Sequence, residues 1–154
     1  TYRYLKGEAL YPFGYGLNYG NITLREVVCD GVSVEQDGSV AASGAQPMRL
    51  EAVVSNDGSR EAEEVVQVYI HAQDAADATP QAKLCGFARV RLAAGETQTV
   101  SIPVDADALC VVDEEGRRLV EGKRFLVSIG FGQPDERTKQ LTGKSCLTFT
   151  VNIP

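Results

Sequence analysis

Apolar residues recur at every second position through most of the chain, the period of side chains that leave a strand on opposite faces. The pattern is densest over residues 50–70. Leu50, Ala52 and Val54 alternate there with Arg49, Glu51 and Val53, and Glu64, Val66, Val68 and Ile70 alternate with Glu63, Val65, Gln67 and Tyr69. Between these runs lies Ser55-Asn56-Asp57-Gly58-Ser59, residues that tolerate left-handed or self-bonded backbone, so a hairpin is predicted. Val65 and Tyr69 add apolar surface to the outer face of the second run, as expected of a central strand covered on both sides.

The same alternation predicts the other strands. Ile22 to Cys29 is the first, turned by Asp30-Gly31; Val32, Val34 and Val40 flank a second predicted hairpin turn at Asp37-Gly38. After a small-residue loop over 41–46 and a polar loop over 72–83, the run Leu84–Leu92 places Leu84, Gly86, Ala88, Val90 and Leu92 on one face. Val100, Ile102 and Val104 point inwards from Thr97–Val104, and Pro103, which has no ladder donor, marks an edge. Asp105–Ala108 is expected to make one helical turn, and two short apolar runs at 110–112 and 118–120 flank an acidic turn. Phe125, Val127 and Ile129 form a strand, Gln133 to Gly143 reads as an exposed loop, and Leu147, Phe149, Val151 and Ile153 end the pattern. Seven to nine short strands with no helical crossover predict an all-β sandwich of two antiparallel sheets.

Residues 1–19, TYRYLKGEALYPFGYGLNY, break this order. They hold five of the six tyrosines and have no clean period, with Pro12, Gly14 and Gly16 as punctuation. Burying Tyr11, Phe13, Tyr15 and Tyr19 would remove roughly 600–1,000 Å² from water, more than the few hundred Å² a soluble monomer usually exposes. Three readings stay open: docking on another domain, folding back on this one, or a platform on which sugars stack. The chain is therefore divided into an aromatic connector, 1–21, with Tyr11, Phe13, Tyr15, Leu17 and Tyr19 as its contact residues, and a sandwich, 22–154.

Composition narrows the function. A chain of 154 residues, 44% hydrophobic and 23% charged, suits one globular domain. Net charge −6 and a pI near 4.8 argue against nucleic acid and anionic membrane surfaces as partners. No apolar run reaches the roughly 18 residues of a membrane helix. Cys29, Cys85, Cys110 and Cys146 form no C-x-x-C pair, so they are expected to be buried, reduced thiols, which favours the cytoplasm over secretion. His71 is read as a strand-end residue, and Asp74 and Asp77 as members of a structural loop without calcium-ligand spacing. Asp113, Glu114 and Glu115 are adjacent at a turn and diverge into water, unlike two carboxylates facing one another across a glycosidic bond. The sequence thus assigns no catalytic residue, no metal site and no cofactor. Opening at Thr1 without Met, the chain is read as part of a longer polypeptide.

Three blocks carry a resemblance. Tyr11-Pro12-Phe13-Gly14-Tyr15-Gly16-Leu17-Asn18-Tyr19 is similar to the YPFGYGLSY segment of glycoside hydrolase family 3 enzymes, which include β-glucosidases and β-xylosidases. Val54-Ser55-Asn56-Asp57-Gly58 with Glu64-Val65-Val66-Gln67-Val68-Tyr69 resembles their VxNxG…EVVQxY pattern, and Leu84 to Leu92 with Gly95-Glu96 resembles LxGFxRVxLxxGE. Asn18, Ile22 and Ala94 depart from those patterns. The resemblance implies the C-terminal fibronectin type III-like domain of such an enzyme, an immunoglobulin-like sandwich. It implies upstream catalytic domains of the same polypeptide as partner, with the aspartate nucleophile and glutamate acid/base of a retaining, exo-acting β-glycosidase located there. The expected role is architectural, stabilising or positioning those domains. Capture of polymeric glycan and a free-standing interaction module are the alternatives, and an isolated chain is expected to leave the connector disordered, swapped or buried in a dimer.

Overall fold

The computed structural model describes residues 2–154; Thr1, the first residue of the predicted connector, lies outside them. The elements are β1 (Ile22–Cys29), β2 (Val32–Val34), β3 (Gly38–Ala41), β4 (Met48–Asn56), β5 (Ala62–Ala72), β6 (Lys83–Leu92), β7 (Thr97–Val104), β8 (Cys110–Val112), β9 (Arg118–Val120), β10 (Arg124–Gly130), α1 (Glu136–Thr142) and β11 (Leu147–Asn152). Short 3-10 turns occupy Tyr2–Tyr4 and Ala106–Leu109. Among the described residues, one sheet has four strands in the order β2-β1-β4-β7 and the other has five in the order β3-β11-β10-β5-β6; β8 and β9 form a separate ribbon. The predicted all-β sandwich is therefore what the chain forms. Leu50, Val54, Ile102 and Val104 of the first sheet share one buried cluster with Val66, Val68, Phe125, Val127, Phe149 and Val151 of the second. Each such branched or aromatic side chain contributes about 1.5–3 kcal/mol through removal from water.

The predicted strand of residues 50–56 and that of 62–72 exist, but they are not a hairpin. β4 pairs with β1 and β7, whereas β5 pairs with β10 and β6 in the opposite sheet. A hairpin would have set both apolar faces side by side. Crossing between sheets instead turns each face onto the other across the core. Asp37-Gly38 is likewise a crossing rather than a hairpin turn. β2 pairs with β1, β3 pairs in parallel with β11, and Asp37, at φ 60°, donates its N–H to the Thr148 carbonyl.

Two further expectations are corrected. Within 133–143, α1 replaces the predicted loop: the Asp135 side chain accepts from Thr138 N, and Gly143 closes the helix at φ 71°. These are standard start and stop features. Gln133 is buried rather than exposed. In β6, a register shift opposite Val68/Tyr69 leaves Cys85 unpaired and interrupts the alternation. Cys85 packs against the core, and Leu84, predicted to share the inward face of Val90, lines the outer surface beside Phe87 and Arg89. The predictions for β7 as an edge strand and for β5 as a central one agree with the sheet order.

Candidate functional site

β5 prepares the surface on which the N-terminal segment lies. Its outward residues include Gln67 and Tyr69, both buried although they face away from the core. The Tyr69 hydroxyl donates to Gln67 Oε1 at 2.7 Å, which orients the amide so that Nε2 donates to the Gly14 carbonyl at 3.3 Å. Gly14 has φ 78°, and a Cβ there would fall 2.3 Å from Gln67 Oε1, so the approach needs glycine for both reasons. Phe13 N donates to Gln133 Oε1 at 3.2 Å while Gln133 N donates back to the Phe13 carbonyl at 3.3 Å. Arg137 Nε reaches the Leu10 carbonyl at 3.3 Å, Gln81 N reaches the Arg3 carbonyl at 3.0 Å, and Asn18 Nδ2 donates to Glu64 Oε2. The main chain of 3–20 is thus a strap tied across the outer face of the five-stranded sheet.

Its side chains behave differently. Leu17 is 88% exposed, Tyr19 97% and Tyr11 63%; Phe13 is also exposed, and Tyr15 is half-buried. Tyr11 and Tyr15 stack on one another with ring centroids 5.4 Å apart. Phe87, 66% exposed on neighbouring β6, extends this apolar face. A cavity of about 460 Å³ runs between strap and sheet, bordered by Phe13, Tyr15, Leu17, Val65, Gln67 and Phe87. Of the charged residues that line it, Arg89 pairs with Glu63, and Glu64 accepts from Asn18 Nδ2 and Val65 N; beyond the cavity Arg91 pairs with Glu61 at 2.5 Å. The Arg91 hydrogen bond holds the Glu61 carboxyl below its ordinary range.

The chemistry-bearing residues weighed from sequence lie elsewhere. Asp113 and Glu115 both bind Arg117, at 2.7 and 3.0 Å, closing the turn between β8 and β9. Asp74 accepts from Lys123 N and Arg124 N, backbone hydrogen bonds that hold its carboxyl below the usual range, and so staples its loop to the start of β10. His71 Nε2 lies 3.1 Å from the Thr79 carbonyl. It borders a cavity of about 330 Å³ with Tyr4, Lys83 and Asp107, in which burial lowers the Lys83 pKa and its ammonium donates to the Asp107 and Cys110 carbonyls. Among the described residues no group of three or more His, Cys, Asp or Glu is placed to hold a metal, and all four cysteines are free. Burial pushes the thiols of Cys85 and Cys146 up to about 12 and that of Cys29 up to about 11.

Of the five residues singled out from sequence, Phe13, Tyr15 and Leu17 border one cavity, Tyr11 stacks on Tyr15, and Tyr19 stands almost fully exposed. Sequence reasoning missed the two glutamines, Gln67 and Gln133, that hold the strap. Gln67 did leave a trace, as an amide set between Val66 and Val68 in the middle of an apolar strand.

Residues 64–133 match the family model of a fibronectin type III-like domain. Over 121 residues, 79% of its length, the chain is 36% identical to a periplasmic β-glucosidase of Salmonella typhimurium, of which it covers 15%. It is 32% identical to a β-xylosidase of Formosa agariphila over 93% of its length, covering 19% of that protein. A β-glucosidase of Streptomyces venezuelae solved with D-glucose superposes with a TM-score of 0.72 at 29% identity, over 99% of this chain and 18% of that one. One from Listeria innocua gives a TM-score of 0.73 over 95% of this chain and 18% of that one; at 23% identity it bears on the fold alone. The chain spans between 15% and 19% of these curated relatives.

Proposed function

We propose that this chain, of which residues 64–133 match a fibronectin type III-like family model and which is similar to β-glucosidases and β-xylosidases, serves as a non-catalytic accessory domain, pressing its strap against the catalytic domains of a family 3-type glycoside hydrolase. The supporting observation is the split between main chain and side chains. The strap is pinned by its backbone at Phe13 and Gly14 and by the Asn18 side chain, yet Leu17 and Tyr19 are held almost fully in water. A fixed apolar face of this kind costs hydration in isolation and is stabilised when a second surface covers it. Because Arg89 is matched by Glu63 within the chain, a partner meets this face chiefly through complementary shape and apolar character.

The parent polypeptide, in this reading, hydrolyses terminal glycosides with carboxylates supplied by its other domains. Capture of a polymer by the strap has less support, since Tyr11 and Tyr15 stack on each other instead of offering coplanar faces. In the complete polypeptide, Leu17→Ser combined with Tyr19→Ser is expected to lower the temperature of irreversible loss of aryl-glycosidase activity by about 4 °C or more, with KM little changed. Unchanged thermal inactivation would overturn the docking role. The 154-residue chain alone is expected to turn over no chromogenic β-glucoside, and measurable hydrolysis by it would overturn the non-catalytic reading.

A further inference from the structure

An ammonium taken partly out of water needs acceptors or opposite charge in place of its hydration. Lys83 is half-buried in the cavity of about 330 Å³ where the end of β5 and the start of β6 meet the turn Ala106–Leu109 and the ribbon of β8 and β9. Two of its three N–H donors go to the Cys110 carbonyl at 3.0 Å and the Asp107 carbonyl at 3.3 Å, so neutral dipoles hold it. Burial is the first cause of its lowered pKa. The Arg3 and Arg118 charges lower it further, and the thiols of Cys85 and Cys110, not a carboxylate, oppose them. Arg3 is half-buried on the same cavity, and neither it nor Lys83 belongs to an ion pair among the described residues. The carboxylates of the lining, Asp77, Asp105 and Asp107, all stand at exposed positions, and Asp107 is taken by Arg118 at 3.3 Å.

We propose that this cavity binds a phosphomonoester dianion through Arg3 and Lys83. Charge selects that class. Two cations without carboxylate partners line one cavity, and a phosphate monoester carries about −1.5 to −2 at pH 7, whereas a carboxylate carries a single charge. The donors fit as well: an Arg fork grips two phosphate oxygens, and the remaining Lys83 N–H is free for the third. About 330 Å³ lies at the small end of the roughly 300–1,000 Å³ of ligand pockets, which leaves room for a phosphate with one small organic group. Partial burial strengthens these two pairs, while salt screens the exposed carboxylates.

None of Tyr11, Phe13, Tyr15, Leu17 and Tyr19 lines this cavity, so the inference stands apart from the docking reading. Its test is an amide-resolved NMR titration of the 154-residue chain with phenyl phosphate, inorganic phosphate and acetate at fixed ionic strength. Saturable shifts at Thr79, Lys83 and Cys110 with phenyl phosphate are expected, with Kd on the order of 1 mM. Inorganic phosphate should shift the same amides, and acetate should bind at least about tenfold more weakly. Arg3→Gln, at a side chain with no ion pair to lose, should weaken phenyl phosphate about tenfold at an unchanged melting temperature. Asp77→Asn combined with Asp105→Asn removes like charge and should tighten binding about threefold; the Asp105 side chain makes no cap hydrogen bond, so its turn stays intact. Absence of saturable shifts with phenyl phosphate, acetate binding as tightly, equal affinity in Arg3→Gln, or no tightening in the double variant would each overturn the proposal.

Discussion

Asn56 is fully buried, and its side chain supplies partners for main-chain groups in two separate segments, 58–60 and 92–93. Its Nδ2 donates to the carbonyls of Arg60, Leu92 and Ala93, and its Oδ1 accepts from Gly58 N. Asn56→Ala would leave several of these buried groups unpaired, so a loss of about 2–4 kcal/mol is expected in urea denaturation. A loss under about 0.5 kcal/mol would contradict this role. The sequence showed Asn56 as a turn residue only, because Leu92 and Ala93 lie far along the chain and no local pattern connects them. The cysteines were partly legible: all four are free, but only Cys29 is buried, and Cys85, Cys110 and Cys146 are half-buried rather than buried as expected. Since the folded-state pKa values of Cys85 and Cys146 rise from 9.0 to about 12, their contribution to stability is complete below the unfolded thiol value and is lost as pH climbs towards 12. Urea melts should therefore show stability falling above about pH 9, with a shallower fall in Cys146→Ala. An identical slope in that variant would contradict burial as the cause.

Strand existence was legible because each strand buries one face against a single core, and a period of two survives wherever that holds. Pairing was not. Alternation is the same whether β4 and β5 share a sheet or face one another across the core, so the crossing at residues 57–61 could not be told from a hairpin. The register shift at Cys85 was hidden for a related reason: one unpaired residue reverses inward and outward positions without changing composition. α1 was missed although its signals were present. Asp135 and Gly143 are good caps, but ERTKQLT has one large apolar residue, too few to make a helical stripe. Asp135→Ala should thus cost about 1 kcal/mol. Its effect should be confined to α1 and the part of the strap that α1 holds through Arg137, and hydrogen exchange over 136–142 and around Leu10 is the measurement that resolves it. Uniform exchange acceleration across the sandwich would contradict a local capping role.

At the scale of the molecule, the strap converts a two-sheet core into a domain with a prepared outer face. Gln67 and Tyr69 place polar anchors on the outside of the central strand, Gly14 lets the chain approach them, and Gln133 fixes Phe13 from the other side. The sequence singled out Tyr11, Phe13, Tyr15, Leu17 and Tyr19 because so much aromatic surface has no reason to sit in water. What the sequence left open was whether the segment folds back or docks elsewhere. The structure divides that choice: the backbone folds back, and the side chains remain uncovered.

The account depends most on those side chains being covered in the complete polypeptide. Hydroxyl-radical footprinting of Leu17 and Tyr19, in the isolated chain and in the complete polypeptide, measures this directly. Strong labelling of both residues in the isolated chain, falling at least about fivefold in the complete polypeptide, is the predicted result for burial at an interface of ordinary size. Equal labelling in the two forms would contradict docking through this face.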